Sequence, residues 1–254
     1  MSVLPKLRKG RLFMKVIDVS KHNGDKIDWE KVKAAGVYGV IIRAGYGRYI
    51  SQKDKFFEQN YAGAVAAGLH VGSYWYSYAD SPPDAKLEAS VFLEAIKDKK
   101  FDLPVYFDIE EPKHAKMSKT ICTAMTDMFC SEMEKAGYFC GVYSYDSFFT
   151  SNLYPTITQK YSQWVARLGS KPTNKHDMWQ YSWTEKINGI TGNVDCNKCY
   201  MDFPKIIKGA KLNGYQDVHY RIEAVKEGLS SSEADKLASE LSKNGMTVLK
   251  IKEG

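Results

Sequence analysis

No apolar run in the 254 residues approaches the ~20 needed to cross a bilayer. Residues 1–13 are basic but lack the apolar core of a secretory signal, so they read as an extension ahead of the first strand-like segment, which starts at Met14. The expectation is synthesis in a bacterial cytoplasm (a phage host's included), with no membrane insertion. The five cysteines are an odd number, and with no secretory signal they argue against a disulfide framework. Cys196 and Cys199 form the only C-x-x-C. Without a second pair or a nearby histidine cluster it is poor zinc-site material, and neither His22 nor His114 has ligand spacing. No metal or cofactor is expected. The formal charge is +6, but Lys6, Arg8, Lys9 and Arg11 supply +4 of it, and the stretch from Asp217 onward carries −1. The +3 left for residues 14–216 lacks the clustered stripe of a nucleic-acid binder and suits mild attraction to an anionic polymer.

What is present is alternation. Lys15–Ser20, Tyr38–Ala44, His70–Ser77, Leu103–Pro112 and Cys140–Tyr145 read as strands. Between them lie helical stretches over Trp29–Ala35, Phe56–Ala67, Pro83–Lys97 and Ser118–Ala136, several closed by glycine. Strand and helix in turn imply a parallel sheet with crossover helices. After residue 150 the long helices disappear, and Gln163–Arg167, Met178–Tyr181 and Gly192–Asp195 read as three more short strands. The expected fold class is α/β: an irregular, flattened (β/α) barrel of eight strands and about five helices over residues 14–210.

The run Leu103-Pro104-Val105-Tyr106-Phe107-Asp108-Ile109-Glu110-Glu111-Pro112 is the most informative stretch. Carboxylates at the end of a buried strand are costly without work or partners. Read as one strand, it places Asp108 and Glu110 on the same face, about 7 Å apart at Cα. Two acids that close resist joint ionisation, which leaves a proton available near neutral pH. Cleavage of a glycosidic bond needs such a pair. The plainer alternative is a solvated strand end with two ordinary acids. In parallel barrels sites form at the carboxyl ends of strands, and Asp18, Tyr74 or Tyr76, Tyr143, Gln180 and Asp195 fall at or near such ends.

Lys211-Leu212-Asn213-Gly214 reads as a junction. Beyond it, Val218, Tyr220 and Ile222 alternate as in a strand. Ser230 with Glu233 can form a capping box for a helix faced by Ala234, Leu237, Ala238 and Leu241, and Met246–Ile251 is strand-like. Residues 211–254 thus form a small β-α-β module.

The spaced motifs carry a resemblance. They are Asp18-Val19-Ser20 with Gly24 and Ile27-Asp28-Trp29; Arg43-Ala44-Gly45; Asp54, Phe57 and Asn60; Ala67-Gly68 with Gly72-Ser73-Tyr74; Asp108-Ile109-Glu110; Gly141-Val142-Tyr143-Ser144; Trp164-Val165-Ala166; Trp179-Gln180-Tyr181; and Val194-Asp195. Across residues 15–205 the chain resembles glycoside hydrolase family 25, the Chalaropsis-type lysozymes of phage endolysins and bacterial autolysins. The resemblance implies an N-acetylmuramidase acting at the cell wall on bacterial peptidoglycan, cutting its MurNAc–GlcNAc β-1,4 bond. It implies Glu110 as general acid, Asp108 as the group orienting the substrate's acetamido arm, and Asp18 and Asp195 completing an acidic cleft. Tyr74, Tyr76, Tyr143, Trp164, Gln180 and Arg43 become expected substrate contacts. Family members often carry His after the tyrosine matching Tyr74; here Trp75 stands there, a departure expected to alter a subsite contact.

Two readings from other classes compete. A chitinase-like hydrolase of β-1,4 GlcNAc polymers shares Asp-x-Glu, but Tyr106-Phe107 occupy positions where its fuller acidic motif would continue. A non-catalytic wall-binding lectin has no need of four acids. The C-terminal module resembles, in pattern, half of a sporulation-related glycan-binding repeat. Its sheet edges would invite homodimerisation through residues 217–254, or docking on its own barrel.

Overall fold

The computed structural model describes residues 13–216 and 228–243. The chain divides into two compact units, Met1–Asp217 and Val218–Gly254. In the first, eight strands close into a barrel: β1 (Met14–Val19), β2 (Gly39–Tyr46), β3 (His70–Tyr76), β4 (Val105–Asp108), β5 (Cys140–Tyr145), β6 (Ser162–Ala166), β7 (Met178–Glu185) and β8 (Val194–Cys199). Pairing is parallel from β1 through β7, and β8 runs antiparallel to both β7 and β1. The all-parallel expectation therefore fails at one strand. The reason is local: β7 and β8 are joined by a short loop, and only antiparallel neighbours can be linked without a crossover.

The early crossovers are helical: α1 (Trp29–Ala34), α2 (Phe57–Ala66), α3 (Pro82–Ala95) and α4 (Lys119–Lys135). Their starts follow capping chemistry. The Asp28 carboxylate accepts from Lys31 N at 3.1 Å, Ser118 caps α4, and α3 opens with Ser81 and a proline in its first turn. Among the described residues, seven α-helices stand in the barrel unit where about five are expected. The additional ones are short, α5 (Asp146–Ser151), α6 (Pro155–Lys160) and α7 (Phe203–Gly209), too brief for a 3.6-residue period to show in the sequence. The eighth, α8 (Ser231–Lys243), belongs to the second unit. It has the expected capping box, with Ser230 N donating to Glu233 Oε2 at 3.0 Å and Glu233 N donating to Ser230 Oγ at 3.4 Å. The strands expected over 218–222 and 246–251, and the 1–13 extension apart from Phe13, lie outside the described residues.

The two-residue alternation of the strands sorts the core into layers. Val16, Ile41, Tyr106, Tyr143, Trp164, Met178 and Cys199 fill the barrel interior. Ile17, Val40, Ile42, Phe107, Val142, Val165 and Cys196 face outward, in the apolar layer that also holds the buried helix faces. Cys196 and Cys199 thus lie in different layers and cannot share a ligand. The expected junction at 211–214 is part of the first unit: Asn213 is fully buried, its Oδ1 accepting from Phe139 N and its Nδ2 donating to Leu103 O at 3.0 Å.

Candidate active site

At the carboxyl ends of the parallel strands, the same alternation turns a set of polar side chains into the barrel mouth. Asp18 is the residue after next from inward-facing Val16, and Asp108 stands in the same relation to Tyr106. Asp195 lies directly opposite Asp18 in the β1–β8 register. Sequence reasoning places Asp195 at the end of a strand. It stands instead near the start of β8, and it reaches the same rim because β8 is reversed. Glu110 is also placed differently than expected. β4 ends at Asp108, so Glu110 stands on the following loop, held by Ile109 N donating to Tyr143 O at 3.1 Å and Ser144 Oγ donating to Ile109 O at 2.6 Å.

The Asp18 carboxylate is buried and accepts from two amides, Asn197 Nδ2 at 2.8 Å and Gln180 Nε2 at 3.0 Å. Burial raises its pKa to about 6, with the donors Asn197 and Gln180 limiting the rise. Burial, the Asp18 charge and a hydrogen bond to Asp18 raise Asp195 to about 8, so Asp195 is the partner that keeps the proton and donates it. Glu110 is pushed up to about 7, mainly by burial, then by the charges of Asp18 and Glu111; a hydrogen bond from Tyr145 is the main opposing influence. Asp108 lies well above the carboxylate range, through burial first and then Glu110 and Asp18, with Arg43 pulling the other way. Its Oδ1 is buried with no hydrogen-bond partner among the described residues. The mouth therefore holds proton-bearing acids at neutral pH beside the ionised Asp18 carboxylate.

Of the expected substrate contacts, Tyr74 and Tyr76 face the mouth, and the Tyr76 hydroxyl donates to Glu111 Oε1 at 2.8 Å. Tyr143 is buried and donates to Gln180 Oε1 at 2.8 Å; Gln180, 2% exposed, also accepts from Trp183 Nε1. Trp164 is 1% exposed, which removes it from the surface a sugar could touch. It supports the floor, with Tyr143 and Tyr106 rings 4.4 and 5.1 Å away and Nε1 donating to Asn197 Oδ1 at 2.7 Å. Arg43 is clamped to Asp54, Nε to Oδ2 at 2.9 Å. Sequence reasoning missed Asn197, Tyr145 and Glu111. Asn197 was within reach: extending the last strand by two residues puts it on the same face as Asp195.

The profile of glycosyl hydrolases family 25 matches residues 17–190. This chain belongs to that family. It is 30% identical over 188 residues to the autolytic lysozyme of Clostridium acetobutylicum, covering 73% of this chain and 55% of that protein. Lysozyme M1 of Streptomyces globisporus is 29% identical over 202 residues, with 72% of this chain and 66% of that protein covered. The chain thus spans little more than half the length of the clostridial relative. Among solved structures, the CTP1L endolysin superposes with a TM-score of 0.66 at 28% identity, covering 77% of this chain and 70% of that one. A bacterial lysozyme from Streptomyces coelicolor gives 0.64 at 26% identity, covering 81% and 99%.

Within this family 25 barrel, Trp75 does not alter a subsite. Its side chain points outward, fully buried between the sheet and α3, with the Phe92 ring 5.5 Å away and Nε1 donating to Gly47 O at 2.9 Å. The indole also explains the glycine of Arg43-Ala44-Gly45, since a Cβ on Gly45 would meet its ring at 2.5 Å.

Proposed function

We propose that the protein is a lysozyme of the N-acetylmuramidase type, hydrolysing the β-1,4 bond between MurNAc and GlcNAc in bacterial peptidoglycan at the cell wall. The observation that carries this reading is the pairing of Glu110, a carboxyl that keeps its proton near neutral pH, with Asp108, a buried carboxyl whose Oδ1 lacks a donor. Glu110 donates its proton to the glycosidic oxygen as that bond breaks. Asp108 accepts a hydrogen bond from the substrate's acetamido N–H, which supplies the missing partner and turns the acetamido oxygen toward the anomeric carbon. That oxygen attacks C1 as the leaving sugar departs with the proton. Glu110, now a carboxylate, takes a proton from water, and the water opens the cyclic intermediate with net retention. Asp18, ionised and pinned by Asn197 and Gln180, stabilises the positive charge that develops at the mouth. Asp195 holds Asp18 in place.

The names of the clostridial and Streptomyces lysozymes support the same assignment. The chitinase-like and lectin readings have no comparable support. Digestion of purified peptidoglycan followed by identification of the new reducing ends tests the proposal. Muramic acid ends are expected; glucosamine ends or free stem peptides would overturn it. Inverted product, followed by NMR at the new anomeric centre, would move the base role to Asp18 or Asp195.

The same reading gives residues 217–254 a wall-binding or assembly role, with self-association into a homodimer. Light scattering on the full chain and on a version ending at Gln216 tests it. Dimerisation of the full chain alone is expected, and two monomers would refute it. The cut falls after Gln216 because Tyr215 and Gln216 bond to the barrel through Asp102 and Gly137 O.

A further inference from the structure

One wall of the mouth differs in sign from its floor. Beside β2 and β3, Lys21, His22, Arg43, Tyr46, Tyr76 and Tyr78 line a pocket of about 360 Å³. Asp54 neutralises Arg43 there, and it also accepts from Lys21 N at 2.9 Å, which fixes the Lys21 backbone. The Arg43 Nη2 sits 2.9 Å from the same carboxylate as an ion pair, yet it lies buried without a well-directed hydrogen bond. The Lys21 ammonium lies 5.7 Å from the Tyr46 ring centre, and no carboxylate among the described residues pairs with it. Burial and the Arg43 and Lys21 charges lower the pKa of His22. The excess charge of the pocket is therefore the Lys21 cation.

The rest of the lining is aromatic. The Tyr78 ring centre lies 5.8 Å from Tyr46 and 5.3 Å from Tyr76, a corner that suits flat amide and alkyl groups. Tyr76 ties the corner to the reaction centre through Glu111, the neighbour of Glu110. What fits is a short amide-linked arm with a carboxylate, branching from a sugar next to the scissile bond. The acidic floor would repel such a group, and Lys21 is the cation placed to receive it.

We propose that this pocket binds the acidic peptide carried on the lactyl group of the muramyl residue, with Lys21 pairing to a peptide carboxylate and Tyr46, Tyr76 and Tyr78 packing on its amides. The assignment rests on the muramidase reading above and adds a specificity determinant to it. The test compares two forms of one wall glycan, peptide-bearing and stripped by an amidase, which leaves the lactyl carboxylate but no peptide. The full chain is assayed as wild type, Lys21→Ala and Lys21→Arg. Lys21→Ala should lose about threefold to tenfold in kcat/KM on the peptide-bearing glycan beyond any loss on the stripped one, chiefly through KM, and Lys21→Arg should recover most of it. Raising salt should narrow the wild-type preference for the peptide-bearing form. Equal losses on both glycans would place the charge on the lactyl carboxylate and overturn the peptide assignment. No loss on either would overturn the pocket itself. If the wild type cuts neither glycan, the muramidase reading falls, and the assignment with it.

Discussion

The two rims of the barrel handle carboxylates in opposite ways. At the carboxyl-end rim, Asp18, Asp108, Glu110 and Asp195 are crowded together; burial pushes each of them upward, and neighbouring charge adds to the rise at Asp108, Glu110 and Asp195. At the amino-end rim, Asp102 has three donors: His70 Nδ1 at 2.6 Å, Lys208 Nζ at 2.9 Å and the Tyr215 hydroxyl. Burial would raise Asp102 too, but these partners outweigh it and hold its pKa well below the ordinary carboxylate range. One end of the sheet thus uses an acid to fasten the segment after α7. The other keeps its acids short of cationic partners, at a cost in stability, so that a proton remains available. The comparison separates acids that hold the fold together from acids retained for chemistry.

The largest expected effect is at Glu110. Glu110→Gln removes the donated proton and should lower hydrolysis by about 10²–10⁴-fold or more, while circular dichroism and wall binding stay as in the wild type. Activity within a few-fold of wild type would end the general-acid role. Asp108→Asn should cost roughly 10²–10³-fold in kcat with KM nearly unchanged, because its effect is on charge that develops in the transition state. A change confined to KM would place Asp108 in ground-state binding only.

The pH dependence follows from the same rim. Activity should fall on the alkaline side through about 7 as Glu110 loses its proton. Asp18→Asn removes a negative neighbour, so the limb should move to lower pH in whatever activity remains. An unmoved limb would assign that ionisation to another group.

At the amino-end rim, Asp102→Asn should destabilise the barrel by roughly 2–3 kcal/mol in urea unfolding near neutral pH, with activity per folded molecule unchanged. The folded-state pKa of Asp102 is depressed, so its contribution is full above the unfolded value near 4 and fades as pH falls through the folded value. A mutant equally destabilised at all pH values would contradict that account.

The smallest effect belongs to Asp195. Its pKa is raised, so the stability it contributes is full below about 4 and is lost as pH rises through about 8. Asp195→Asn keeps a donor toward Asp18 without that loss, and should stabilise the protein by about 1 kcal/mol or more at pH 8 but not at pH 4. Equal shifts at both pH values would mean that Asp195 is not the proton holder.

The sequence by itself determined the first half of the barrel. There the helices of α1 to α4 are long enough to show their period, glycines and capping residues punctuate them, and β1 to β5 alternate with them. It also determined which acids matter, because Asp108 and Glu110 end an otherwise apolar run and Asp18 ends another. Tertiary structure alone decided three things. The short loop before β8 permits its reversal, pairing with β1 and β7 fixes it, and only that reversal puts Asp195 opposite Asp18. The orientation of Trp75 follows from which face of β3 meets α3, so a residue that a motif places near substrate lies in the outer layer. The opposite protonation of the two rims depends on long-range neighbours, with the Asp18 charge raising Asp195 and the Tyr215 hydroxyl lowering Asp102. A carboxyl's pKa is a property of what packs against it, and residues more than a hundred positions apart in the chain supply those neighbours.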